Sequence, residues 1–110
     1  MSQQHQTLTA DRWNKFSLYE QMANIGSEVE RAINWGKKGV PEYSRLAFVR
    51  SIELIDLSLN DTKHRGHFKE LTRLKEFWAD YFMGKNQYKF SAESWQKYFL
   101  AFNFAARKNS

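Results

Sequence analysis

Apolar residues recur at steps of three and four along most of the chain, which is the spacing of one face of an α-helix. The first such segment runs from about Ser17 to Trp35 and carries one apolar stripe, Leu18, Met22, Ile25, Val29 and Ile33. Ser17 and Glu20 have the spacing of a capping box, in which each side chain bonds the backbone amide of the other residue. Gly26 lies beside the stripe. Because a glycine inside a helix costs about 1 kcal/mol relative to alanine, we expect a neighbour to pack closely against it.

The second and third segments follow a basic turn at residues 36–39. The second begins at Pro41, a residue suited to the first position of a helix, and runs to about Leu59. Its apolar residues cover more than one face, so we expect it to be the most buried helix of the set. The third covers about His67 to Met83, and its apolar stripe consists of Phe68, Leu71, Leu74, Trp78, Tyr81 and Phe82.

Ser91 is placed to cap a fourth helix, which runs to about Arg107 with its apolar face made by Trp95, Tyr98, Phe99, Phe102, Ala105 and Ala106. No strand-like alternation of apolar and polar residues competes with this assignment. Because short connections make consecutive helices antiparallel neighbours, the sequence predicts an all-α protein with an antiparallel up-down-up-down four-helix bundle. Residues 1–12 are predicted to form a flexible N-terminal arm, and residues 13–110 the bundle domain.

Composition narrows the possible partners and the possible chemistry. Seventeen Lys and Arg against twelve Asp and Glu give a net charge of +5, which favours nucleic acid, an anionic membrane or an acidic protein surface as partner. The absence of cysteine excludes disulfides, thiolate metal sites and cysteine catalysis. No apolar run approaches the roughly 20 residues that cross a bilayer, and the polar N-terminus does not resemble a secretion signal. We therefore expect a cytoplasmic protein without a membrane partner.

The segment around the start of the third helix concentrates positive charge. On the face of Lys69 and Arg73, the acidic residues Glu76 and Asp80 come later along the chain, which is the reverse of the order that a helix dipole favours. Local stability therefore does not explain the charges, whereas phosphate binding at a helix N-terminus does; the alternative is a solvated loop that only keeps the protein soluble. With cations from two other helix ends, the predicted nucleic-acid-binding residues are Lys37, Lys38, Lys63, His64, Arg65, His67, Lys69, Arg73, Arg107 and Lys108.

No catalytic or metal motif accompanies these charges. His64 and His67 with Asp61 offer fewer ligands than a metal site needs, so we interpret the two histidines as a surface pair. Neither follows a Glu by three, as di-iron bundles require. The Arg-x4-His motif of HEPN ribonucleases, which are also small helical bundles, is missing too. We predict no enzyme activity, no metal and no cofactor.

The aromatic residues allow a second interpretation, because rings interleaved with cations stack on unpaired bases. The spacing of Trp78, Trp95, Phe99 and Phe102 is that of a buried stripe, so these four are predicted to be core residues. Trp13, Tyr88 and Phe90 lie outside the stripes and are the better candidates for exposed contacts. Such contacts could equally form a subunit interface, since interfaces are enriched in aromatic residues.

Two stretches, Asn24-Ile25-Gly26-Ser27-Glu28 through Arg31 and the helix from Glu42 to Leu57, carry a resemblance to a bacterial family. The chain resembles the four-helix-bundle proteins encoded in 23S rRNA intervening sequences and the related accessory variability determinants of diversity-generating retroelements. The similarity covers about Leu18 to Arg107 in size, charge, helix count and helix order. It implies a non-enzymatic homo-oligomer that associates with a reverse transcriptase and nucleic acid, and it carries no individual functional residue over to this chain.

From these patterns we expect a non-enzymatic basic helical protein that binds RNA or DNA through phosphate contacts. The resemblance implies that it does so as an accessory subunit of a nucleic-acid enzyme such as a reverse transcriptase. The alternative is a protein-interaction module whose basic face meets an acidic protein partner.

Overall fold

A computed structural model describes residues 10–108, and in this part of the chain every regular element is helical. The elements are α1 (Ala10–Trp13), α2 (Leu18–Lys37), α3 (Pro41–Leu59), a 3-10 helix (Thr62–His67), α4 (Phe68–Met83) and α5 (Ala92–Lys108). The four long helices begin and end close to the predicted residues. Of the predicted flexible arm, residues 1–9 lie outside the described part of the chain, whereas its last three residues belong to α1.

Local signals in the sequence account for the ends of α2 and α5. The Ser17 hydroxyl accepts from the Glu20 amide at 3.2 Å, and the Glu20 carboxylate accepts from the Ser17 amide at 2.9 Å, so the capping box is confirmed. After the end of α2, Gly39 has a φ of +77°, in the left-handed region that glycine adopts without strain. Ser91 accepts from the Ser94 amide at 3.2 Å at the start of α5.

The closest approaches in the molecule involve α2. A Cβ atom on Gly26 would lie 2.7 Å from the Phe99 ring, which confirms the close packing expected at this glycine. On the α3 side, the Ser44 hydroxyl donates to the Ala32 carbonyl at 2.6 Å. Small residues therefore let α2 approach both α3 and α5, and the core residues of α2 are completely covered.

Helix α3 is predicted to be the most buried helix, and it shares that position with α2. Each of the two buries seven residues, against three in α4 and two in α5. Three apolar side chains on the outer face of α3, Tyr43, Leu46 and Val49, are exposed by 51%, 64% and 44%. Apolar residues do cover two faces of α3, but within residues 10–108 only one face is packed.

Large aromatic rings fill the space between α4 and α5. Trp78 and Trp95 meet edge to face with ring centroids 5.3 Å apart, and both are buried, as is Phe99, as predicted. Phe102 is half-buried. Phe68, predicted to belong to the stripe of α4, is instead 57% exposed, because it stands at the first residue of the helix.

A buried polar network ties α1 to α2, α3 and the 3-10 helix, with Gln21 at its centre. The Gln21 amide nitrogen donates to the Trp13 carbonyl at 3.0 Å and to the Asp61 carboxylate at 3.0 Å. Its amide oxygen lies 2.6 Å from the Ser58 hydroxyl, which donates to it, and 3.0 Å from His64 Nε2. The network fixes the direction in which the chain enters α4.

Trp13 belongs to the same network, so its predicted role in exposed contacts is wrong. Its side chain is 1% exposed, and Nε1 donates to the Ser58 hydroxyl at 3.0 Å.

Each helix within residues 10–108 is too short or too polar to span the apolar core of a membrane.

Candidate functional site

Lys63, the first cation of the predicted basic segment, forms an ion pair and a hydrogen bond with other groups of the protein. Its ammonium group pairs with the Asp61 carboxylate and donates to the Asn14 carbonyl at 2.7 Å. The Asp61 carboxylate also accepts from the Lys63 amide at 3.1 Å and caps the 3-10 helix. Burial alone would raise the pKa of Asp61, but the hydrogen bonds from Lys63 and Gln21 outweigh it and hold that pKa below its usual 3.8. The Lys63 side chain therefore stabilises this turn.

His64 is buried, which corrects two expectations about it. Its side chain is 4% exposed, and Nε2 lies 3.0 Å from the Gln21 amide oxygen and 3.4 Å from the Asp61 carboxylate. Burial lowers the pKa of His64 below 6.5, and the Asp61 carboxylate opposes only part of that shift. His64 therefore neither forms a surface pair with His67 nor offers a side chain to a nucleic acid at the surface.

Lys69 and Arg73, one turn apart on α4, are brought together on the rim of a groove. Both are exposed, and the groove has a volume of about 510 Å³. Gly66 and Glu70 continue the same rim. The remaining walls come from α4, from the loop after it and from α5: Leu74, Phe77, Phe90, Ser94, Trp95 and Tyr98. Two of the predicted cations thus lie beside a surface made mainly of aromatic rings.

Arg65 and His67 lie just before this rim, in the 3-10 helix, and both are exposed. His67 Nδ1 is 3.6 Å from the Glu70 carboxylate, at the surface. Four potential phosphate contacts therefore lie within about two turns of helix: Arg65, His67, Lys69 and Arg73.

The loop between α4 and α5 holds Phe90 in the groove wall. Asn86 and Lys89 have φ values of 52° and 56°, a conformation uncommon for residues other than glycine. The Asn86 side chain accepts from the Phe90 amide at 3.0 Å and donates to the Phe90 carbonyl at 2.8 Å. The Phe90 ring is consequently fixed with its centroid 5.5 Å from that of Phe77 and 5.1 Å from that of Trp95.

On the α5 side of the groove, Tyr98 is bound to the α4 rim. Its hydroxyl donates to the Glu70 carboxylate at 3.1 Å. Burial, reinforced by that carboxylate, raises the pKa of Tyr98 above its ordinary value of 10.0, so the hydroxyl stays protonated at neutral pH. Glu70 keeps its negative charge in this hydrogen bond and stands at the rim between two exposed cations, Lys69 and Arg73.

The Trp95 indole N–H has no hydrogen-bond acceptor among residues 10–108. Its side chain is 5% exposed, and Nε1 itself is covered. The buried Trp78 differs, since its Nε1 donates to the Ser51 hydroxyl at 2.8 Å. A buried donor without an acceptor costs about 1–3 kcal/mol, so most buried donors in native proteins have one.

The other predicted cations lie away from the groove. Gly36, next to Lys37 and Lys38, lines the same pocket as Met83 at the end of α4. Because α4 has 16 residues, this end lies roughly 24 Å from the start of that helix. The Lys38 ammonium sits 5.2 Å from the ring centroid of Trp35. Arg107 and Lys108 are exposed at the end of α5.

Sequence reasoning missed most of the aromatic wall. Phe77 precedes the predicted core residue Trp78 and went unassigned, although its spacing of four from Arg73 puts it on the face of that cation. Trp95 and Tyr98 were assigned to the core stripe. Phe90 was predicted as a contact residue because it lies outside every stripe, and it does line the groove, half-buried. Tyr88, predicted for the same reason, is exposed by 45%.

Among residues 10–108, no three His, Asp or Glu side chains are grouped so as to hold a metal ion. No protein-family model, curated protein or solved structure matches the chain.

Proposed function

We propose that this protein binds nucleic acid without catalysing a reaction, through phosphate contacts at the start of α4. One observation carries the proposal: Lys69 and Arg73 lie side by side on the rim of a groove whose walls are aromatic. Arg65 and His67 extend the exposed basic surface towards the 3-10 helix. We call Arg65, His67, Lys69 and Arg73 the α4 basic surface.

The charge of the chain supports the same proposal. A net charge of +5 attracts polyanions at long range, and phosphate contacts by Lys and Arg release counterions from the nucleic acid. Both effects give affinity with little sequence readout, so we expect binding that weakens steeply as salt is added.

We further propose that α2 to α5 form an antiparallel up-down-up-down bundle. Supporting contacts pair early residues of one helix with late residues of the next. Tyr19, near the start of α2, meets Phe102 late in α5 with ring centroids 6.4 Å apart. Glu70, in the first turn of α4, bonds to Tyr98, whereas Phe77 further along α4 meets Phe90, which precedes α5.

This arrangement is the one implied by the resemblance to intervening-sequence proteins and retroelement accessory determinants, and membership in that group is likewise a proposal. It brings with it a bacterial, cytoplasmic setting, a homo-oligomeric assembly and a reverse transcriptase as protein partner. Each of these is an expectation that binding measurements can address.

The test compares two double variants that remove the same charge. Lys69→Ala with Arg73→Ala is measured against Lys37→Ala with Lys38→Ala, which removes two exposed lysines at the far end of α4. Fluorescence anisotropy follows binding to labelled RNA and DNA at several salt concentrations. We expect the first variant to lose about tenfold or more in affinity and to flatten the salt slope by about 1.5–2. Equal losses in the two variants would show that binding is not centred on the α4 basic surface.

A second candidate function, a protein-interaction module, is favoured by the outer face of α3. Tyr43, Leu46 and Val49 follow one another at steps of three and are all exposed. The Tyr43 ring packs edge to face on Trp35 with centroids 5.0 Å apart. Contiguous exposed apolar residues of this kind are typical of protein contacts. Sedimentation velocity of Leu46→Glu tests it: an assembly through this face should dissociate, and an unchanged sedimentation coefficient would argue against the face.

A further inference from the structure

The groove beside the α4 basic surface has the size and the walls of a binding site for one flat organic group. Its volume of about 510 Å³ lies within the usual range of roughly 300–1,000 Å³ for small-ligand sites. The rings of Phe77 and Phe90 stand 5.5 Å apart in its wall with an interplanar angle of 43°, so each offers its own ring surface. Aromatic walls of this kind bind planar groups by stacking.

Trp95 closes the inner wall of the groove. Its ring centroid lies 5.1 Å from that of Phe90, and its Nε1 is covered, so the indole contributes apolar ring surface to the site.

The charges on the rim indicate where the backbone of the occupant lies. Lys69 and Arg73 are exposed on the rim, whereas the neighbouring Glu70 carboxylate is already bonded to the Tyr98 hydroxyl at 3.1 Å. With the two cations Lys69 and Arg73 against the one carboxylate of Glu70, the rim presents net positive charge beside an apolar interior. A phosphate next to a planar base matches that pattern of charge.

We propose that the groove takes a single unpaired base from a nucleic-acid strand, stacked against Phe90 or Phe77, with Lys69 and Arg73 contacting the adjoining phosphates. The inference rests on the proposed nucleic-acid binding and makes it more specific. A base inside a duplex is stacked and paired on both sides, so its faces are not available. The protein should accordingly prefer single strands, whether RNA or DNA.

The experiment compares four labelled oligonucleotides of equal length by anisotropy: single-stranded RNA, single-stranded DNA, a blunt DNA duplex, and a DNA strand with abasic sugars in place of nucleosides. The abasic strand keeps every phosphate and removes every base. We expect the two base-carrying single strands to bind about tenfold more tightly than the abasic strand, and more tightly than the duplex.

Two variants connect that preference to the groove. Phe90→Ala removes a stacking ring, and Trp95→Phe replaces the indole of the inner wall by a smaller ring. Both should lower the affinity for the base-carrying single strands several-fold and leave duplex and abasic affinities unchanged. The matched control is Phe104→Ala, which removes an exposed phenylalanine of α5 that does not line the groove. Thermal melts of each variant show whether the fold is retained, and Trp95→Phe remains informative if Phe90→Ala unfolds.

The outcomes separate this inference from the proposal beneath it. Equal, salt-sensitive binding of all four oligonucleotides would overturn the base site and leave phosphate binding standing. A single-strand preference that survives both groove variants would also overturn it, because the bases would then bind elsewhere. Failure to bind any of the four at low salt would overturn both proposals.

Discussion

The Gln21 network and the groove between α4 and α5 each contain a buried tryptophan, and the two tryptophans differ in the hydrogen bonding of the indole N–H. Where α1 meets α3, Trp13 donates to Ser58 and belongs to a network in which Gln21 uses both ends of its amide. In the groove between α4 and α5, Trp95 is also buried, but its indole N–H has no acceptor among residues 10–108. Both tryptophans are almost completely covered, so burial does not distinguish them. What distinguishes the two regions is whether the indole N–H has a hydrogen-bond acceptor.

The difference indicates that the two regions do different work. A completely satisfied buried network specifies one arrangement of the chain and adds stability. A buried donor without an acceptor lowers stability, and such departures from local optimality are expected at functional sites. We therefore interpret the Gln21 network as a region that stabilises the fold, and the groove as a surface that is open to a ligand.

The largest expected effect is on the network side. Gln21→Leu keeps the approximate size of the side chain but leaves the Asp61 carboxylate and the Trp13 carbonyl short of a donor. Since each buried polar group without a partner costs about 1–3 kcal/mol, we expect the free energy of unfolding to fall by about 3 kcal/mol. Urea unfolding measures it. The control is Gln96→Leu at an exposed position of α5, expected to change stability by less than about 0.5 kcal/mol. Similar losses in both variants would contradict the central role of Gln21.

A series of Trp→Phe variants tests the comparison directly. Trp13→Phe and Trp78→Phe each lose volume and a hydrogen bond to a serine, so unfolding should become easier by about 2 kcal/mol. Trp95→Phe loses similar volume but no hydrogen bond, so we expect a change of about 1 kcal/mol or less. Calorimetric melting of the three variants ranks them. If Trp95→Phe is as destabilising as the other two, its N–H has a partner in solution and the contrast disappears.

The smallest effect concerns pH and again belongs to the network. Burial lowers the pKa of His64 below its unfolded value of 6.5. The folded protein therefore binds fewer protons here than the unfolded chain, and the free energy of unfolding declines as the pH falls through 6.5 towards the folded pKa. The pKa of Asp61 is lowered from 3.8 in the same way, so its contribution is present above that pH and is lost at lower pH.

Urea midpoints measured across this range should show both steps. His64→Gln keeps a polar side chain that does not titrate, so this variant should lose the decline below pH 6.5 while keeping the one below 3.8. A wild-type midpoint that stays constant between neutral pH and about pH 5 would mean that His64 is not held in its neutral form.

What the sequence predicted correctly is local in character. Helix limits and the Ser17 cap depend on residues within a turn or two, whose spacing is visible in the chain. The glycine in the middle of α2 indicated a close neighbour, but the sequence did not identify that neighbour as Phe99 of α5. The burial of Trp13 and His64 escaped prediction because their partners are distant: Ser58 is 45 residues from Trp13, and Gln21 is 43 from His64. No spacing rule connects positions so far apart.

Only part of the groove could be predicted from the sequence, for the same reason. Lys69 and Arg73 were predicted as neighbours, since a separation of four residues puts them on one helix face. Their aromatic surroundings depend on how α5 and the preceding loop are placed against α4, which periodicity does not encode. Similarly, the pattern of α3 indicated two apolar faces, but it could not indicate that the face of Leu46 lacks a covering element within residues 10–108.

The left-handed residues of the loop after α4 have a consequence for the speed of recognition. Asn86 fastens the backbone of Phe90 from both sides, so this wall of the groove is in position before any ligand arrives. Ordering of side chains and loops is one of the main entropic costs of association, and a preorganised wall avoids it. Encounter with the ligand, steered by the charges on the rim, would then set the association rate, with no loop rearrangement to slow it.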